Sequence, residues 1–139
     1  MYRQAVEGDI AMKKIINIVF NVLPFFIWMG WFYCALKHFT IDLGTIQILI
    51  LLGLPLLYSI SNAVFSNNKK DFVIHNLIFG VSQVVGYYIA GLLNYNYISS
   101  DSETILVINT FSGISIVYIL IATLIFYGIR AIVDKNKKK

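Results

Sequence analysis

Charge is scarce in this sequence. Only 13% of its 139 residues are Asp, Glu, Lys or Arg, against about 25% in an ordinary soluble domain. Hydrophobic residues make up 58%, leaving too few polar groups to cover the apolar surface in water. A soluble globular domain is therefore excluded, and the bilayer is the solvent that fits. Cysteine is nearly absent: Cys34 stands alone, so no internal disulfide can form. One cysteine with the distant His38 and His75 makes no metal-ligand set, and no metal or other cofactor is expected. Carboxylates come close together near a membrane face only at Asp101 and Glu103, and there is no Gly-x-Ser-x-Gly elbow or glycine-rich phosphate loop. Catalysis is not expected.

What remains is four long uncharged runs: Ile15 to Leu36, Ile46 to Phe65, Phe72 to Leu93 and Thr104 to Ile129. A hydrocarbon core of about 30 Å needs about 20 helical residues, and each run reaches that length. Strands of a membrane barrel would alternate over about ten residues instead. The chain thus reads as all-α: a polytopic membrane protein with four transmembrane helices, about 15–36, 46–65, 72–93 and 104–129. Short linkers make neighbouring helices antiparallel. Residues 1–14 read as a polar tail and residues 131–139 as a basic one. Met12-Lys13-Lys14 before an apolar run also resembles a translation start, so residues 1–11 are expected to contribute little. No signal-peptide cleavage site follows Leu36.

The net charge of +4 raises the question of nucleic acid, but the basic residues form no stripe with interleaved aromatics. They lie at the ends of the apolar runs. Arg3, Lys13, Lys14, Lys69, Lys70, Arg130, Lys135, Lys137, Lys138 and Lys139 fall on one side of the membrane, and Lys37 alone on the other. The positive-inside rule then puts both termini in the cytoplasm. Abundant Ile, Asn, Lys and Tyr suggest an AT-rich bacterial gene, hence the bacterial cytoplasmic membrane. Lys135, Lys137, Lys138 and Lys139 suffice to set topology and can also attract anionic lipid headgroups.

Local chemistry marks the boundaries. Ser100 and Glu103 have capping-box spacing for the fourth helix. Trp28, Trp31, Phe32 and Tyr33, with Tyr87, Tyr88, Tyr95 and Tyr97, gather near the outer helix ends and read as interface anchors. His75 reads as a headgroup-level residue at the inner end of the third helix rather than a proton relay.

The third helix carries the most distinctive face. Asn76, Gly80, Gln83 and Tyr87 share one side, and Ser82, Gly86 and Ala90 recur every four residues on an adjoining strip. Small residues at that spacing let backbones approach, and amides can hydrogen-bond across the contact. This face either packs within the chain's own bundle or meets a partner. Asn17 and Asn21 before Pro24, Tyr58 and Asn62 after Pro55, and Asn109, Ser112, Gly113 and Ser115 in the fourth run offer counterparts. Each proline should kink its helix and free one carbonyl. Around the kinks the amides form either interhelical links or the lining of a polar cavity.

Size and helix number resemble several small bacterial membrane families, but the motifs do not follow. The membrane-embedded glutamate of small multidrug transporters has no counterpart beside Asn17 and Asn21. The glycine-rich arginine motif of small four-helix fluoride channels is absent. Two functions are left. One is a non-enzymatic accessory, regulatory or immunity-type subunit whose partners are membrane lipids and another membrane protein or a second copy. The other is a small oligomeric translocator or channel for a lipid-linked or uncharged solute. In the second case Asn17, Asn21, Asn62 and Gln83 should be wet; in the first they should be dry.

Overall fold

The computed structural model describes residues 2–37, 43–98 and 102–138, which form four helices. They are α1 (Tyr2–Leu36), α2 (Leu43–Phe65), α3 (Lys69–Tyr97) and α4 (Ser102–Lys137). All four are long and apolar enough to cross a membrane. The chain is an all-α four-helix bundle of membrane-spanning hydrophobicity.

Two helices are longer than their apolar runs. α1 has 35 residues and α4 has 36, so each extends over about 52–54 Å at 1.5 Å per residue. The segment expected as a polar tail before Ile15 is the first part of α1. Once a helix is nucleated in the membrane, adding residues costs little, and Gln4, Ala5, Glu7, Ala11, Met12, Lys13 and Lys14 are good helix formers. At the other terminus α4 continues to Lys137. Arg130 Nε meets Asp134 Oδ1 at 3.0 Å, an i,i+4 pair that supports the added turns.

α3 is the central element. It packs on each of the other three helices, whereas α1 and α4 make no contact among the described residues. Sequence order explains little of this: the closest packing joins α1 to α3, which run parallel, while the sequential pair α1 and α2 touch sparingly. Glycine sets the approach. A Cβ on Gly86 would stand 2.9 Å from the Phe25 Cα, and one on Gly91 would meet the Ile108 side chain at 2.8 Å. Gly80 faces Ile119 in the same way at 3.2 Å.

Aromatic rings fill the middle. Phe20 of α1, Tyr58 of α2 and Phe79 of α3 form a continuous stack with centroids 4.5 Å apart at each step. Trp28 and Tyr87 meet edge to face at 5.0 Å. These two rings are buried core, not the interface anchors expected from their positions; the parallel contact of α1 and α3 encloses them. Tyr33, Tyr88 and Tyr97 are the expected anchors that are exposed for an interface role.

One end of the bundle gathers the start of α1, the turn between α2 and α3 and the end of α4. Asn68 caps α3, its Oδ1 accepting from the Asp71 N–H at 2.9 Å. Lys13 Nζ donates to Asn67 Oδ1 at 3.1 Å. The Arg130 guanidinium donates to the Ala63 carbonyl and, at 3.1 Å, to that of Asn67. Those carbonyls lie at the end of α2, where cationic donors satisfy acceptors that have no helical partner.

Candidate functional site

Polar side chains within an apolar bundle are costly unless bonded, so their partners define what the interior can do. The amides of Asn21 and Asn62 bond reciprocally, Asn21 Nδ2 to Asn62 Oδ1 at 3.1 Å and Asn62 Nδ2 to Asn21 Oδ1 at 2.8 Å. Asn62 Nδ2 also reaches Asn76 Oδ1 at 3.2 Å. Asn76 Nδ2 donates to Thr123 Oγ1 at 2.6 Å and to Ser59 Oγ at 3.3 Å. The chain of bonds therefore crosses α1, α2, α3 and α4 in turn. Asn21 closes it at one end by donating to the Asn17 carbonyl at 2.7 Å, and Thr123 at the other by donating to the Ile119 carbonyl at 2.7 Å.

Carbonyls near the two helical prolines take side-chain donors. Pro24 has no N–H for the Phe20 carbonyl four residues earlier, and Tyr58 Oη donates to that carbonyl at 2.8 Å. Near Pro55, Gln83 Nε2 donates to the Ile50 carbonyl at 3.1 Å and Tyr118 Oη to the Leu52 carbonyl at 3.0 Å. Gln83 Oε1 in turn accepts from Trp28 Nε1 at 2.9 Å. Among the described residues, Ser112 Oγ is the buried side-chain oxygen left without a partner. His75 is buried and its Nδ1 lies 3.1 Å from Ser66 Oγ, inside the packed end of the bundle.

The residues singled out by sequence divide into three groups. Asn21, Asn62 and Asn76 are buried and mutually connected, with the Asn17 carbonyl at their edge, and Gln83 is buried apart from them on Trp28 and the Ile50 carbonyl. Gly80, Gly86 and Ala90 are used for internal contacts with α1 and α4, with Ser82 half-buried beside them. Asn109 stands apart. It is exposed on α4, in a shallow groove with Thr110, Gly113 and Tyr118. Lys135, Lys137 and Lys138 are exposed at the end of α4; Lys139 and the capping residue Ser100 lie outside the described residues. Sequence reading missed Ser59 and Thr123. Ser59 had a usable signal, three residues before Asn62 and thus on the same helix face; Thr123 sits alone in an apolar run and had none.

Cavities lie at both ends of the bundle and between α3 and α4, where one of about 260 Å³ is lined by Asn76, Gly80, Ile119 and Thr123. At the end opposite the termini a pocket of about 380 Å³ is lined by Gln47, Tyr87, Asn94, Glu103, Thr104 and Ile108. Deeper, Trp28 and Gln83 are wholly buried, followed by the ring stack and the amide network. At the other end a groove of about 190 Å³ between α1 and α3 is lined by Lys13, Lys14, Ile18, His75 and Ile78.

Fold and interior define a small four-helix membrane protein. Comparison with known proteins finds no matching family model, no similar curated protein and no similar solved structure.

Proposed function

We propose that this chain is a non-enzymatic accessory or immunity-type subunit of the bacterial cytoplasmic membrane. It lies with both termini in the cytoplasm and acts by helix–helix association with another membrane protein. The observation that carries this reading is the closed interior. Asn21, Asn62 and Gln83, the amides that would line a path, are buried and bonded within the chain. Side chains committed to one another inside the bundle leave its surface as the part that can act on a partner.

The surface best suited to a partner is the outer side of α4. Only 11% of its apolar window is buried in the bundle, against 39% for α3. Asn109 lies about 8 Å below the start of the apolar run at Thr104, at hydrocarbon depth. An amide facing hydrocarbon without a partner costs about 2–7 kcal/mol, which a hydrogen bond to a neighbouring helix offsets. One turn on, Gly113 lets a second backbone approach, since a Cβ there would touch nothing of this chain.

The test is gentle extraction of the wild type and of Asn109→Leu and Gly113→Leu, with identification of co-purifying proteins. A membrane protein retained by the wild type and lost from both variants, with the bundle intact, supports the reading. Retention by both variants, or a complex of this chain with itself alone, overturns it. Solute flux through the purified chain in liposomes would favour the translocator.

A further inference from the structure

The groove between α1 and α3, at the end carrying both termini, has the form of an amphiphile site. Its rim is polar and basic: Lys13 and Lys14 from α1, with Asn17 beneath them and His75 opposite. Its wall is apolar, formed by Ile18, Ile74 and Ile78. Ile18 and Ile74 are nearly half exposed and face the surroundings of the bundle rather than its core.

Depth separates these two parts correctly for a lipid. The run from Ile15 to Leu36 covers about 33 Å as a helix, close to the hydrocarbon thickness of about 30 Å. The ammonium groups of Lys13 and Lys14 therefore lie at headgroup level, while Ile18 and Ile74 lie within reach of acyl chains. The rim is also preorganised. Lys13 Nζ is held by Asn67 Oδ1 at 3.1 Å, using one of its three protons. His75 spends Nδ1 on Ser66, so Nε2 is the ring nitrogen left for a ligand. The N-terminus of α3, capped at Asn68, adds positive potential beside the groove. Asp71 is the acid of the rim, and its carboxylate suits a headgroup hydroxyl as donor.

We infer that this groove holds one anionic glycerophospholipid, with its phosphate at Lys13 and Lys14 and an acyl chain along Ile18 and Ile74. The site is independent of the partner surface on α4. A free phosphate would use the lysines and leave the isoleucine wall without a role.

The experiment is native mass spectrometry of the full chain in detergent, titrated with phosphatidylglycerol or with phosphatidylcholine of the same chain length. The wild type should retain one phosphatidylglycerol in preference to phosphatidylcholine. The exposed double variant Lys13→Gln/Lys14→Gln should bind it roughly tenfold to thirtyfold more weakly. Lys137→Gln/Lys138→Gln should not change it, and glycerol 3-phosphate should not compete. Equal retention of the two lipids overturns the proposal, as does an equal loss in both double variants, which would mean general surface charge. Competition by glycerol 3-phosphate would overturn it in favour of a free phosphate. Circular dichroism of each variant checks that the helices persist, and Lys13→Arg/Lys14→Arg should restore binding.

Discussion

Asn21 of α1 and Asn62 of α2 are joined by two hydrogen bonds between their side-chain amides, at 3.1 and 2.8 Å, and both residues are almost wholly buried. This pair links two helices that otherwise touch little, and through Asn76 and Thr123 it reaches the remaining two. Asn62→Leu should break both bonds and the one to Asn76, leaving the Asn21 carboxamide oxygen unpaired. Each membrane hydrogen bond contributes about 0.6 kcal/mol on average, so a total loss of about 1–2 kcal/mol is expected. Denaturation in bicelles by added sodium dodecyl sulfate would measure it; an unchanged midpoint would mean that the network adds no stability.

A second prediction concerns Pro24 in α1. Tyr58→Phe leaves the Phe20 carbonyl without a donor, because Pro24 cannot supply one. In a Pro24→Ala background the new N–H can bond that carbonyl, so Tyr58→Phe should cost less there than in the wild type. A coupling of about 0.5–1.5 kcal/mol in the double-mutant cycle is expected. Strictly additive effects would show that the tyrosine hydroxyl does not replace the missing helical bond.

Glycine positions give a third test. Gly86→Ala would place a methyl 2.9 Å from the Phe25 Cα, and backbone cannot yield as a flexible side chain can. The helices must separate, at a cost of about 1–3 kcal/mol. Gly53→Ala meets nothing within 4 Å and should be neutral or slightly stabilising, since alanine is the better helix former. Thermal unfolding of the two variants side by side would decide the matter; equal transitions would contradict the close contact of α1 and α3.

The sequence carried much of this in its periodicity. Four uncharged runs specify four helices, and the spacing of Asn76, Gly80, Gln83 and Tyr87 marked α3 as the helix with most to bury. Helix pairing was not legible. Short linkers imply that sequential helices are neighbours, but α1 packs chiefly on α3, a choice made by the fit of Trp28 against Gly86. Position along the chain placed Trp28 and Tyr87 toward one end of their helices, yet it does not specify which side of a helix faces lipid. For the same reason Asn109 looked equivalent to Asn62 in sequence and lies on the opposite kind of surface.

Orientation yields the last prediction. Cys34 is the one cysteine of the chain, partly exposed near the end of α1 remote from the termini. With both termini in the cytoplasm, as the distribution of lysines favours, an impermeant maleimide on intact cells should reach Cys34 from outside. In a Cys34→Ser background, Asn67→Cys and Lys137→Cys should be labelled only after the cells are opened, since both positions are exposed at the terminal end of the bundle. Labelling of either from outside would reverse the orientation. It would move the basic groove of Lys13 and Lys14 to the outer leaflet, and the pocket of Gln47 and Glu103 would then face the cytoplasm.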